Sequence, residues 1–402
     1  MLVETVLEKT PSWRYTDTND ERDLRIDFLR GLVMFVLVVI HIEIFSIYNF
    51  AAWERIGVVS GAEGFVILSG YVIGLVSRKR IQDKGWKVAV WKLYERAARL
   101  WQVNVIVILA IAGLSLLPKL DLTSIMTFTD RGAGTTYNLF PGAGTPFETT
   151  LALALLLRIG PHQLQILGLY VCLLIVAPAV LYLVSVQRTK LVLALSWIVY
   201  FYNNLSHVMP TGAQFENGFP VLTWQLLFVH GLVIGYHRRT VWEFMWGRSG
   251  RLVFLAALVI FLGFLFWAQN TPNQFIPSYA RLSLIPAQTY EGVYARFMQK
   301  NTLGLLRLLD YASMLIVLYA VLTACWTPIR KALGWFFIPL GQASLYVFIL
   351  HVPVVALVSR FLPFGFSVDP PHLWINTMGH TLALAALWLM VRYQVWFRWI
   401  PR

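Results

Sequence analysis

DFLRGLVMFVLVVIHIEIF, residues 27–45, reads as a membrane-crossing helix that carries an arginine and a histidine in a run otherwise fit for lipid. Arg30 and His41 are eleven steps apart. At roughly 100° per residue that is about 20° past three full turns, so both side chains leave one face, about 16 Å apart along the axis. Such groups are costly in an apolar span unless they face a protein interior or a wet cavity. A cation near one surface and a titratable imidazole deeper in, on a shared face, mark a working site.

The rest of the chain has the same character. Of its 402 residues 58% are hydrophobic and 13% charged, with a mean hydropathy of +0.64. This excludes an ordinary soluble domain and predicts an all-α polytopic integral membrane protein. About ten apolar stretches are long enough to approach or exceed the bilayer's hydrocarbon thickness. They fall near 28–48, 57–77, 96–117, 162–185, 190–204, 222–238, 251–269, 304–326, 336–359 and 375–397. The expected organisation is a tail at 1–27, one transmembrane domain over 28–397 with larger outer loops at 118–161 and 270–303, and a short end at 398–402. The apolar stretch near 147–160 within the first loop reads as an interfacial or re-entrant helix. No cleavable signal peptide is expected in the polar first 27 residues. Cys172 and Cys325 both fall in spans, which argues against a disulfide framework.

The net charge of +13 is explained by where it sits. With the N-terminus inside, 22 of the 33 Lys and Arg residues fall on the inner side, 8 fall on outer loops, and Arg30, Arg307 and Arg392 lie in spans. The positive-inside rule therefore predicts both termini in the cytoplasm, and a nucleic-acid partner is not needed to account for the charge. No Walker loop, dinucleotide fingerprint or metal-ligand cluster appears, so ATP, NAD and zinc chemistry have no support.

Depth along the spans groups three titratable residues. His41, Glu63 and His351 each lie six to eight residues below the expected outer end of their span, a common layer roughly 10 Å down. An imidazole can take a proton from a hydroxyl, and a carboxylate can orient that imidazole and stabilise its cation. Glu63 can reach His41 only across helices; Glu43, two positions from His41, points to another face. The competing reading for each histidine is a packed residue bonded to a backbone carbonyl, and for Glu63 a carboxylate closing a helix contact. Nearer the outer rim, His162, Gln165, Trp224, Gln225, Arg307 and Asp310 are candidate substrate contacts, although Arg307 and Asp310 are spaced for a local ion pair. His230 is deeper and isolated, while His207, His237, His372 and His380 carry no pattern. On the inner side Arg25, Arg30 and the run Arg78, Lys79, Arg80 suit a phosphate-bearing ligand, or simply hold a loop inside.

Five segments carry a resemblance: LRIDFLRGLVMFVLVVIH, GAEGFVILSGYVIGLV, PHQLQILGLYV, FPVLTWQLLFVHGLVIG and GQASLYVFILH. In register and order they resemble the OpgC family, close to the transmembrane acyltransferase type three superfamily, over about residues 22–360. The resemblance implies a ten-helix enzyme of the bacterial inner membrane that adds O-linked acyl groups, succinyl in the named member, to periplasmic glucans. The inner cations below the histidine layer lead to the expectation of an acyl-CoA donor, succinyl-CoA in particular, used as substrate, with no permanently bound cofactor. Arg30 and His41 match the motif arginine and catalytic histidine, and His351 matches the late histidine; Glu63 stands where the broader superfamily is often not acidic, so its role as a histidine partner is not carried over from the resemblance. With no hydrolase-type domain after the last span, transfer is expected within the membrane domain.

The resulting expectation is acyl-CoA docked on Arg25, Arg30 and the 78–80 cations, and His41 acting as general base, oriented by Glu63 or His351. Two alternatives stand beside it. The acceptor could be another envelope polysaccharide, or the charged interior could be the path of a sugar or organic-anion transporter.

Overall fold

The computed structural model describes residues 14–15, 22–117, 120–130, 135–142, 144–273, 276–362 and 370–400. Most of the 1–27 tail, residues 401–402, and parts of the loops at 118–161 and 270–303 lie outside the described residues. Among the described residues the longer helices overlap the expected stretches: α1 Leu24–His41, α2 Gly61–Lys84, α3 Trp86–Leu114, α4 Gln165–Ser185, α5 Thr189–Ser206, α6 Val221–Tyr236, α7 Arg248–Gln269, α8 Leu305–Ala324, α9 Ser344–Phe361 and α10 Pro370–Arg392. Six of them are long and apolar enough to cross a membrane: α3, α4 with the turn that precedes it, α7, α8, α9 and α10. The chain is a multi-pass membrane protein.

The expected spans differ from the helices where local polar bonds intervene. The first was read to residue 48, but α1 stops at His41, with Ile42 extended at φ −85° and ψ 97°. Beyond it Asn49 Oδ1 accepts from Ser46 N at 2.8 Å and Ser46 Oγ at 3.1 Å, local bonds that compete with a continued helix. The ninth was read as one span, yet a helix at Trp335–Gln342 and α9 are separated at Ala343. That shorter helix packs on α1 almost without clearance: a Cβ on Gly341 would lie 1.7 Å from Asp27 O.

The wholly α-helical expectation needs one amendment. Within the first large loop, β1 Thr127–Asp130 and β2 Thr135–Asn138 form an antiparallel pair, in register Thr127 to Asn138 and Asp130 to Thr135. The apolar stretch after it supplies a nine-residue helix, Phe147–Leu155.

Two helices in the centre meet backbone to backbone. Gly70 and Gly74 on α2 face Gly231 and Gly235 on α6. A Cβ at any of the four would fall 2.0–2.2 Å from a carbonyl oxygen of the other helix. Small residues four apart let apolar helices approach this closely, so that van der Waals contact, the main attraction left in lipid, can act. This pair brings Glu63 at the start of α2 and Trp224 near the start of α6 to one end of the bundle. Lys84 and Tyr236 are carried to the other.

Candidate active site

His41 is the last residue of α1, and the end of that helix is held by α10. His380 Nε2 donates to Val39 O at 3.1 Å and to Ile42 O at 3.2 Å, capping carbonyls that the helix leaves free. His380 carried no signal in the sequence because its partners are 341 and 338 residues away.

The His41 ring lies beside His351 of α9, with Nδ1 2.8 Å from His351 Nε2 and the rings stacked at 4.9 Å. His351 Nδ1 meets Phe348 O, and a carbonyl oxygen can only accept. Nδ1 of His351 therefore carries the proton and Nε2 the lone pair. His41 Nδ1 must then donate to that lone pair, which leaves Nε2 of a neutral His41 as a free acceptor. A third imidazole, His162, stands edge-on to His41 at 5.9 Å between ring centres. Its Nε2 is 3.6 Å from Glu43 Oε1, and Phe128 of β1 covers it at 5.3 Å. Its Nδ1 is buried without a hydrogen-bond partner among the described residues.

The carboxylate expected to orient His41 is engaged elsewhere. Glu63 Oε2 accepts from Ser60 N at 3.0 Å and Ser60 Oγ at 2.5 Å, the capping box at the start of α2. Its Oε1 accepts from Arg307 Nε at 2.5 Å. Arg307 is fully buried on α8, and its Nη2 also donates to Glu54 Oε1 at 2.6 Å. The Arg307–Asp310 pair allowed by their spacing does not form: Asp310 accepts from Val58 N at 2.5 Å. Glu54 was missed because it lies in a loop, where no helical period marks it.

The remaining rim candidates are mostly structural. Gln225 Nε2 donates to Ser196 O at 2.8 Å and so joins α6 to α5. Trp224 is fully buried and donates from Nε1 to Asn301 O at 3.3 Å. Gln165 lines a small cavity of about 20 Å³ with Asn104 and Gln214.

At the opposite end a cavity of about 920 Å³ opens between α1, α2, α3 and α6. Nine basic and three acidic of the described residues line it, so their field favours an anion. Arg30, Arg78, Lys79 and Arg80 are among them, joined by Arg96 of α3 and by Arg238 and Arg239 after α6. Arg30 donates to Ser344 Oγ of α9 at 2.6 Å and lies 3.9 Å from Asp27. Arg25 is not on the lining. It is fully buried, paired with Asp23 at 2.8 Å, bonded to Thr323 Oγ1 at 2.7 Å and enclosed by the rings of Tyr15, Trp242 and Tyr319.

Arg30 with Ser344, and His41 with His351, set α1 and α9 side by side in parallel. One helix pair thus links the basic cavity to the imidazoles. Among the described residues no group of three or more His, Cys, Asp or Glu side chains is placed to hold a metal ion.

The family model described as OpgC protein matches residues 22–399. The chain belongs to the OpgC family. No curated relative and no solved structure matches it. Membership in the OpgC family implies an acyltransferase that acts on periplasmic glucans. It also draws the two ends of the bundle into one problem, because a group must pass from a donor to a hydroxyl.

Proposed function

We propose that this OpgC-family protein is an O-acyltransferase of the bacterial inner membrane, with both termini in the cytoplasm and ten crossings. It moves a succinyl group from cytoplasmic acyl-CoA to hydroxyls of a periplasmic glucan. The CoA phosphates dock in the basic cavity on Arg30 and the Arg78–Arg80 run, which offers charge-assisted hydrogen bonds to phosphate oxygens. The thin pantetheine arm follows the α1–α9 seam toward His41.

His41 acts as general base through Nε2. It takes the proton of a glucan hydroxyl while that oxygen attacks the thioester carbonyl; the new C–O bond forms, the C–S bond breaks, and the proton passes to the leaving thiolate. His351 is a positioning residue. By accepting from His41 Nδ1 it holds the tautomer in which Nε2 is basic, and it spreads the charge of the imidazolium that forms. His162, with Glu43 behind it, is placed beside His41 to receive the acceptor sugar.

The observation that carries this reading is the bonded pair His41–His351, whose proton order leaves one basic nitrogen free. The test uses purified protein in nanodiscs with radiolabelled succinyl-CoA and glucan. Wild type is expected to label the glucan, and His41→Ala to lower the rate at least about 10²-fold with its melting temperature kept. Equal labelling by both proteins would remove His41 from the chemistry. No labelling by folded wild type, across a panel of donors and acceptors, would leave the transporter reading to be tested by uptake.

A further inference from the structure

Lys300 sits in the turn that joins a π-helical segment, Tyr294–Met298, to α8. Three buried side chains from three helices grip the carbonyls around it. Arg307 Nη1 of α8 donates to Met298 O at 2.9 Å, Trp224 Nε1 of α6 to Asn301 O at 3.3 Å, and Tyr200 Oη of α5 to Leu303 O at 2.8 Å. The turn closes through Leu303 at a left-handed φ of 46°, and through Gly304, where a Cβ would meet Phe297 O at 2.1 Å. A loop so firmly held fixes the direction of the side chain at its centre.

The half-buried ammonium of Lys300 lies 4.8 Å from the centre of the Phe219 ring, which is itself edge-on to Trp224. Its charge acts on His41 and His162 on one side and on Glu63 and Glu54 on the other. Those carboxylates are already committed. Glu63 is bonded to Arg307 and Ser60, and Glu54 to Arg307 and to Tyr294 Oη at 3.3 Å. Among the described residues the Lys300 ammonium has no hydrogen bond and no ion pair, although the residue's backbone carbonyl accepts from Leu303 N at 3.1 Å, and burial pushes the ammonium below the usual lysine range. A partly buried cation beside apolar rings, with its N–H donors unused by the described residues, is an arrangement that an incoming anion would complete.

We propose that Lys300 receives the terminal carboxylate of a dicarboxylic acyl group and thereby selects a succinyl-type donor over a neutral one. The inference rests on acyl transfer at His41. In a four-carbon acyl group two methylenes separate the reacting carbonyl from the carboxylate, so a carbonyl beside His41 carries its anion toward a neighbouring cation. Lys300 takes no part in the bonds made or broken; it decides which acyl group is held.

The experiment compares succinyl-CoA with butyryl-CoA, which has the same carbon count and no second carboxylate, using the full chain in nanodiscs with glucan. Wild type is expected to prefer succinyl. Lys300→Gln is expected to lower the succinyl-to-butyryl rate ratio by roughly 10- to 100-fold, the worth of one charge-assisted hydrogen bond. Lys300→Arg, which keeps the charge, is expected to retain the preference. Equal losses on both donors in Lys300→Gln would overturn the assignment, since an oxyanion or structural role would affect both alike. A wild type that uses butyryl-CoA as well as succinyl-CoA would overturn it without recourse to a variant. A wild type that transfers no acyl group from any donor would instead defeat the acyltransferase reading itself, and this inference with it.

Discussion

The tautomer of His41 is decided outside its own helix. A carbonyl at Phe348 orders the proton on His351, and His351 orders the proton on His41. The Arg30–His41 spacing was readable from the sequence because both residues share one helix, where period alone sets the face. The partner of Glu63 was not. Its bond to Arg307 spans 244 residues and depends on how α8 meets α2. One signal for its other role was present: Ser60-x-x-Glu63 spells a capping box at a helix start. Glu63→Gln breaks a buried ion pair and, among the described residues, leaves Arg307 with Glu54 as its one ion-pair partner. The expected result is a loss of about 3–5 kcal/mol, measured by chemical unfolding in micelles. A variant as stable as wild type would show that the pair contributes nothing net.

At the scale of elements, the four glycines between α2 and α6 bring two backbones together where lipid offers no hydrophobic drive for association. That contact carries Glu63 and Trp224 to the end where His41 lies. Gly231→Leu places a side chain against Ile67 O, and Gly231→Ala already places a methyl carbon 2.1 Å from that oxygen. Leu is expected to cost at least about 1–3 kcal/mol and to lower the melting temperature of the detergent-solubilised protein, with Ala intermediate. Unchanged melting for both variants would mean the helices separate without penalty. The break at Ala343 and the stop at His41 belong to the same scale. Both fall inside apolar runs that a hydropathy reading joins, because hydropathy does not see a capping histidine or a backbone pressed on Asp27.

For the molecule as a whole, the basic cavity and the histidine cluster lie at opposite ends of the α1–α9 pair, so the proposed reaction needs those ends on opposite sides of the membrane. In a background with Cys172 and Cys325 replaced by alanine, Glu148→Cys is expected to react with a membrane-impermeant thiol reagent in cells with a permeabilised outer membrane. Lys84→Cys is expected to react only once the inner membrane is broken. Both positions are exposed, so reagent access alone separates them. The reverse pattern would invert the topology and place the cation-rich end outside.

The helices were legible in the chain because a segment in lipid must satisfy its own backbone, which makes its length and apolarity local properties. Arg30, His41 and the basic run at 78–80 were legible for the same reason: each is a polar exception within one local pattern. The His41–His351 bond joins residues 310 apart, and no period encodes such a distance. The withdrawal of Arg25 from the cavity, the union of Glu54, Glu63 and Arg307, and the clamp around Lys300 likewise arise only when separate helices and loops meet. Short-range geometry places a side chain on a face of its own helix. What stands opposite that face is set by packing, and there the proton order of His41 and the free cation of Lys300 were decided.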